Sequence, residues 1–466
     1  MPTEDLKSSG RKWVSLQFTD LSGQLREVII SEAELTDENK REGFSKLDGS
    51  SIPGFAGIEE SDMVLKPDMS TESTLPWAKH TKRLINDIYY NRDRQRFEKD
   101  PRYVAQATGI KSGELGYTLY YGPEMEFFIL DGFKFDNATP STGLGYKLYS
   151  SENPVSGNAP SIPYKGGYYV TQPMDKTYSV RSKIIDTLSS DFGFNIEAAH
   201  HEVATNGQVE IDFKFGTLVE TADRVQTLKY VSRNIASQEG KIATFMPKPF
   251  FGDNGSGMHV NMSFWDSKKT TNLFYDKDDE YAQLSQIGRY AVGGILYHSQ
   301  ALSAIVSPTT NSYRRLTPGF EAPIYIAWGR ANRSAIVRVP AYKMDMLITK
   351  RLEYRAPDPS ANPYLAFSAV AMAAIDGVTK KIEPGDPVNR SIYKMSRQEV
   401  KELGIKELPK NLEDALGALG SDNDFLRPVF AKPLIDTYID ISLSEARDLN
   451  RYPSPVEVER LLSKGI

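Results

Sequence analysis

Acidic residues set two apart inside apolar stretches are the first chemistry this sequence offers. Residues 122–130 read GPEMEFFIL, with Glu124 and Glu126 as their only charges. A β-strand alternates its side chains, so both carboxylates would share one face. Two like charges side by side, away from water, need a cation between them or a proton on one. An isolated pair of this kind is ordinarily salt-bridged or solvent-facing, but three further segments change that expectation. Residues 197–210 (EAAHHEVATNGQVE) carry Glu197, Glu202 and Glu210 beside His200 and His201, with Gly207 as a turn that returns the chain. Residues 255–263 put His259, Asn261 and Ser263 on one strand face, and residues 351–355 do the same for Glu353 and Arg355. A lone strand histidine is ordinarily a hydrogen-bonded core residue, and a Glu–Arg alternation a surface ladder. Four such segments together predict convergence on one cavity. Glu124, Glu126, Glu202, Glu210 and Glu353 with His259 would form an oxygen-rich donor set suited to hard divalent ions, Mg2+ or Mn2+.

Guanidinium groups supply the opposite charge. Residues 311–316 (NSYRRL) and 330–338 (RANRSAIVR) are dense in arginine, whose forks match carboxylate and phosphate oxygens. Either stretch alone reads as a solvated basic face. Beside an acid–metal cavity, anionic substrates are the better explanation, and metals with arginines around phosphates are what phosphoryl transfer requires. There is no GxxxxGK[ST] loop, and the glycine-rich residues 252–257 lack the dinucleotide spacing, so a nucleotide must be held by other means.

The elements that would position these groups can be read in outline. Residues 13–18 and 25–30 alternate as strands around a polar turn at 20–23, which predicts a hairpin. Asp100 and Pro101 read as a helix start and Gly109 as its stop, with a domain boundary close by. Residues 117–130 read as one strand, and 136–163, crowded with Ser, Gly, Asn and Pro, as a long loop. Residues 194–215, 257–265, 335–339 and 350–355 read as strands or strand ends. Residues 179–192, 217–238, 281–306 and 364–381 read as helices, and the last eighty residues as mostly helical.

Composition narrows the class. The 466 residues are 40% apolar and 25% charged, with net charge −5 and no cysteine. Disulfides, zinc–thiolate sites and cysteine nucleophiles are excluded. No basic block points to nucleic acid. The N-terminus lacks the apolar core of a signal peptide, and the longest nearly apolar run, residues 364–375, is too short for a bilayer. A cytoplasmic location, with no membrane partner, is expected.

Read in order, these segments resemble glutamine synthetase of the bacterial and archaeal type I class along nearly the whole chain. Asp48-Gly-Ser-Ser51 is similar to the family's N-terminal latch, residues 122–127 to its first metal strand, and residues 200–210 to its HHE…GQxE signature. Residues 254–259 match NGSGMH, 311–323 match NSYxRLxPGxEAP, 332–334 match NRS and 353–364 match ExRxPDPSANPY. The resemblance implies an α+β fold: a small N-terminal β-grasp-like domain (residues 1–100) and a larger catalytic domain (101–466) with a curved antiparallel sheet flanked by helices. It implies one ion on Glu126, Glu202 and Glu210, and another on Glu124, His259 and Glu353. Glu197, Asn261, Ser263, Arg333 and Arg338 would contact ATP. Asn254, Gly255, Arg315 and Arg355 would contact L-glutamate. Glu321 would be the flap acid, Asp48 the acceptor of a proton from ammonium, and Arg333 a catalytic arginine. The implied assembly is a dodecamer of two hexameric rings with active sites shared between subunits.

Three departures stand out. The family usually has a second histidine where Asn261 stands, so altered nucleotide binding is expected. Residues 51–55 read SIPGF where Gly-Gly-Trp is more usual, which touches the latch. Tyr393 lies where some relatives carry a nucleotidylated tyrosine, but its flanks differ, and it reads as an ordinary exposed loop residue. Two rivals remain: a γ-glutamyl ligase for amines or polyamines on the same scaffold, and a non-catalytic structural relative.

Overall fold

The computed structural model describes residues 12–136, 145–153, 161–341 and 346–464. The N-terminal hairpin forms as its alternation predicts. Strands β1 (Trp13–Thr19) and β2 (Leu25–Ser31) pair antiparallel, and Gly23 turns the chain with φ +84°. A short helix α1 (Asp37–Glu42) leads to β3 (Phe44–Asp48), β4 (Asp62–Thr74) and β5 (Thr81–Tyr90). The sheet order is β2-β1-β5-β4-β3, with β1 and β5 parallel and the other pairs antiparallel. This is the β-grasp-like unit, and Val14, Leu16, Met63, Leu65, Leu84 and Ile88 fill its core.

The larger unit begins with α2 (Pro101–Glu114), β6 (Tyr117–Leu130), β7 (Gly132–Asp136) and β8 (Gly145–Tyr149). It continues through α3 (Tyr178–Phe192), β9 (Ile196–His201), β10 (Gln208–Phe213), β11 (Gly216–Thr217), α4 (Leu218–Gln238), β12 (Ile242–Thr244) and β13 (Met258–Asp266). Helices α5 (Gln286–Tyr297), α6 (Ser299–Val306) and α7 (Ser312–Arg315) precede β14 (Tyr325–Arg330), β15 (Ala335–Val339) and β16 (Leu352–Tyr354). Then come α8 (Pro363–Lys380), α9 (Arg397–Glu402), β17 (Lys406–Glu407), α10 (Leu412–Ser421), α11 (Lys432–Leu449) and α12 (Pro455–Ser463).

The main sheet runs β17-β14-β15-β16-β13-β6-β10-β9, with β11 and β12 also paired to β6. It is antiparallel except for β14 and β15, which run parallel. Helices α2, α4 and α8 cover one face. Apolar Leu119, Tyr121 and Met125 of β6 point into that layer, where Tyr121 stacks on Phe367 of α8 at 5.2 Å. Helix α8 is Ala-rich and buried almost throughout, capped by Asn362, which accepts the Tyr364 N–H at 3.1 Å. It meets α5 so closely that a Cβ on Gly294 would lie 2.0 Å from the Ala373 carbonyl oxygen. Arg102 of α2, almost fully buried, joins the two units by ion pairs to Asp68 of β4, Asp87 of β5 and Asp223 of α4.

Three expectations need correction. Helix α2 does not stop at Gly109 but runs to Glu114. Packing on β6 and α8 outweighs the roughly 1 kcal/mol that a helical glycine costs. The stretch read as a loop from 136 to 163 contains β8, which pairs with β7 in a hairpin; residues 137–144 and 154–160 of it lie outside the described residues. Helix α5 starts at Gln286, capped by Ser285, rather than at 281, and His298 separates it from α6.

Candidate active site

Strand register builds the site. The even residues of β6 turn away from the helices, so Glu124 and Glu126 face the opposite side from Tyr121 and Met125. On one flank, β10 sets Glu210 opposite Glu126 and Asp212 opposite Glu124. On the other, β13 sets His259 opposite Glu124. Beyond it, β16 places Glu353 opposite Asn261, and β15 places Arg338 opposite Glu353. At the far edge β9 sets His200 opposite Glu210. Directly opposed residues project to the same face. Six strands thus concentrate charge on one surface, although the segments lie far apart in sequence.

Two clusters could each hold a cation. Ligand atoms of Glu124, His259 and Glu353 all lie within 4.8 Å of one another, and so do those of His200, Glu202 and Glu210. Glu126 shares the cavity, but its carboxylate accepts the Gly257 N–H at 2.9 Å and the Gln208 side-chain amide at 3.2 Å. His200 thus joins Glu202 and Glu210 in the second group, with Glu126 on the same cavity wall. His259 Nδ1 lies 3.0 Å from Glu124 and His200 Nε2 3.1 Å from Glu210.

Electrostatics agree with a cation-seeking site. Burial, then the charge of Glu202, pushes the Glu126 carboxyl up to about 8. Burial chiefly raises Glu202 and Asp212 to about 7 each, and Glu210 well above the usual carboxylate range, with Asp212 and Glu126 adding repulsion. Glu124 behaves differently. Burial opposes its ionisation, but hydrogen bonds from His259 and Asn261 and the Arg355 charge override it and hold the carboxyl at about 2. Without cations, protons must offset the repulsion among the other acids. Hard oxygen donors with one imidazole in each cluster fit Mg2+ or Mn2+.

The cavity around these groups has a volume of about 520 Å³, and Arg315, Arg333, Arg338, Arg355, Asn254, Gly255 and Glu321 line its walls. Arg338 and Arg355 both pair with Glu353. Their buried Nε atoms, with Asn254 Oδ1 and Asp212 Oδ1, have no partner among the described residues. Arg315 is fully buried and donates to the carbonyls of Ala356 (2.8 Å) and Arg355 (3.1 Å), which fixes the wall. Gly255 is required there, because a Cβ would sit 2.3 Å from the Pro247 carbonyl oxygen.

A second cavity of about 350 Å³ adjoins the first, sharing Glu124 and Asp212. Glu197, Asn261, Ser263, Tyr120, Phe215 and Trp265 line it. Tyr120 meets Phe215 and Trp265 edge-on, at 5.4 and 5.9 Å between centroids. Asn261 replaces the expected histidine by linking both compartments: its amide donates to Glu124 at 3.0 Å and accepts from Arg351 at 2.8 Å.

Not every expected residue meets here. Asp48 is exposed at the end of β3 and lines neither cavity; it accepts hydrogen bonds from the hydroxyls of Ser50 and Ser51. Those bonds hold its carboxyl below the usual range. Tyr393 is 36% exposed but not remote. Burial raises its phenol to about 12, and Arg355, Arg315 and Glu321 lie within electrostatic reach. Asp212 and Gln208 were missed, although Gln208, Glu210 and Asp212 alternate along β10 as Glu124 and Glu126 do along β6. Lys165, Tyr168, Tyr169 and Phe320, which also line the cavity, sit on loops and leave no periodic signal.

Comparison with known proteins gives this geometry a lineage. Residues 10–91 match the model of the glutamine synthetase β-grasp domain, and residues 98–461 that of the glutamine synthetase catalytic domain. The chain is 54% identical over 460 residues to a glutamine synthetase of Sulfolobus acidocaldarius, covering 98% of this chain and 97% of that one. A glutamine synthetase of Pseudomonas aeruginosa is 41% identical, with 97% of each chain covered. The cryo-EM structure of Plasmodium falciparum glutamine synthetase superposes with a TM-score of 0.86 at 27% identity, over 98% of this chain and 96% of that one. Its sequence, its β-grasp and catalytic folds, and its acid-lined sheet face agree: the chain belongs to the glutamine synthetase family.

Proposed function

We propose that this chain ligates ammonia to L-glutamate, consuming ATP and releasing ADP and phosphate through a γ-glutamyl phosphate intermediate. The observation that carries this reading is a single sheet face bearing two acid–histidine clusters, walled by four arginines and adjoining an aromatic-lined cavity. The reading assigns ATP to the two adjoining cavities. Glu197, Asn261 and Ser263 would contact the nucleoside end, and Arg333 and Arg338 the phosphates. Glutamate is assigned to Asn254, Gly255, Arg315 and Arg355.

Each residue then has a task. Arg355, held by its pairing with Glu353, and the wall fixed by Arg315 orient the substrate carboxylates. The γ-carboxylate oxygen attacks the terminal phosphorus and ADP leaves. Arg333 and Arg338 offset charge on the transferring group. Divalent ions on Glu124, His259 and Glu353, and on Glu202 and Glu210 with Glu126 or His200, would supply further charge neutralisation at the phosphates. Glu321, on the rim, excludes water while ammonium gives up a proton. Nitrogen then attacks the acyl carbon and phosphate departs.

Asp48 is exposed and lines neither cavity, so it is assigned to the site of a neighbouring copy, where it takes the ammonium proton. This supports a shared-site oligomer, proposed as a dodecamer of two rings. Two further features suit burial between copies. Helix α12 buries none of its residues and exposes Val456, Leu461 and Leu462, and the β7–β8 hairpin exposes Phe133, Phe135, Tyr146 and Tyr149. The same reading takes residues 1–100 and 101–466 as the two domains and the cytoplasm as the location. No helix among the described residues is long and apolar enough to cross a membrane.

Retention of both Asp48 and Glu321 favours ammonium over bulkier amines. ADP release measured with ammonium, ethylamine and putrescine tests this. Turnover with ammonium is expected; turnover with an alkylamine alone would assign the chain to the amine ligases. Absence of Mn2+-dependent heat in both wild type and Glu126→Ala would support a non-catalytic protein.

A further inference from the structure

The flap that carries Glu321 is anchored in an unusual way. Its neighbour Phe320 is half-buried on the cavity wall, yet it packs into none of the hydrophobic clusters among the described residues. Instead it faces two ammonium groups. Lys248 Nζ lies 3.6 Å from the ring centroid and Lys165 Nζ 4.4 Å. An aromatic ring attracts cations through its quadrupole, most strongly where water is partly excluded. The two like charges are kept together by that ring and by carbonyl oxygens. Lys165 donates to Gly319 in the flap at 2.9 Å, and Lys248 to the carbonyl of Asp253.

Neither lysine is loosely placed. The backbone N–H of Lys248 donates to Asn311 at 2.7 Å, and the Asn311 amide donates back to its carbonyl at 3.1 Å. The buried Asp253 carboxylate accepts N–H groups from Lys165 (3.2 Å), Thr205 (2.8 Å) and Asn254 (3.0 Å). Three loops are tied at this one carboxylate, and one of them runs directly into Asn254 and Gly255. Glu321 itself has a left-handed φ of +56°, a conformation that a non-glycine residue keeps only when its surroundings impose it.

We propose that Lys165 and Lys248 are positioning residues that hold the Glu321 flap over the reaction cavity by clasping the Phe320 ring. The inference rests on the ligase reading above. The clasp holds water off the acyl phosphate, yet two such contacts are weak enough to release for product exit. If the clasp is lost, water attacks the acyl carbon, phosphate leaves and the γ-carboxylate of glutamate is regenerated. ATP is then consumed without glutamine.

The test compares ADP and glutamine formed by the full-length protein. Phe320→Leu keeps apolar bulk and loses the ring. It is expected to raise ADP per glutamine from about one to about two or more, because water then competes with ammonia. Lys165→Met with Lys248→Met should do the same. Phe320→Trp and Lys248→Arg should restore the wild-type ratio, since an indole ring and a guanidinium sustain the same contact. A ratio unchanged in Phe320→Leu overturns the proposal. So does an equal fall in ADP and glutamine across all variants, the signature of a merely structural role. If wild type makes ADP but no glutamine with ammonium, the ligase reading fails, and this proposal with it, a result distinct from the other two.

Discussion

Replacing Glu126 by glutamine separates what metal binding asks of this site from what folding asks of it. The Glu126 carboxyl is buried and accepts two hydrogen bonds, from Gly257 and Gln208. Burial and the Glu202 charge move its pKa from 4.5 to about 8. The unfolded chain therefore ionises this group at lower pH than the folded chain does. Between the two values the folded state binds more protons, so stability falls as pH rises from 4.5 to about 8. At pH 7 the interval traversed is about 2.5 units, at about 1.4 kcal/mol each, or about 3 kcal/mol of destabilisation. Glutamine keeps an oxygen for both donors and never ionises. In chelator, Glu126→Gln should unfold about 3 °C above wild type for a chain of this length. In excess Mn2+ most of this advantage should vanish, because the variant loses a charged oxygen and about 100-fold in affinity, which offsets about 2.7 kcal/mol. Thermal unfolding in EDTA and in MnCl2, at pH 6, 7 and 8, reads both effects. A variant less stable than wild type in EDTA, or equally stabilised by Mn2+, would refute the argument.

Other consequences follow from the same geometry. Gly255→Ala puts a methyl 2.3 Å from the Pro247 carbonyl oxygen; KM for glutamate should rise at least about tenfold in initial-rate assays. Arg315→Ala strips two buried carbonyls of their donor; glutamate affinity should fall by calorimetry, with about 2 kcal/mol lost from chemical denaturation. Mn2+ must displace protons from acids whose pKa values lie at about 7 and 8, so affinity should rise from pH 6 to 8 while the protons released per ion fall, read by calorimetry in two buffers. Asp48→Asn and Glu126→Gln should each be inactive alone yet recover ammonium-dependent ADP release when co-assembled; no recovery would confine each site to one copy.

Much of the site was legible because strand alternation is a local rule. Glu124 and Glu126, or His259 and Asn261, are placed on one face by spacing alone. What spacing cannot supply is register. That Asp212 lies opposite Glu124, and that Glu126 takes the Gly257 N–H, depends on which residues of distant strands pair, and those choices are made by the whole sheet. Strands β3 to β5 were illegible for a related reason. The β4 pattern is interrupted by an irregularity between Asp68 and Ser73, so its polar residues break the alternation. Gly109 misled because intrinsic propensity is weak against tertiary packing. The Phe320 clasp left no trace in the sequence, since its members sit on three unrelated loops.

The register also explains why protons and metal ions are alternatives at this site. The sheet's other face is locked into α4 and α8 by Tyr121, Met125 and Val209, all fully buried. The strands cannot slip by one residue to part the carboxylates without turning that apolar set out of the core. The acids must therefore meet repulsion where they stand; Arg315 and Arg333 offset only part of it, and the rest falls to protons on Glu126, Glu202, Glu210 and Asp212, or to cations among them. Raising pH strips the first and favours the second. The metal-free fold is thus held near neutrality by partial protonation, and the apolar face, rather than any interaction within the cavity, keeps the site assembled while it waits for its ions.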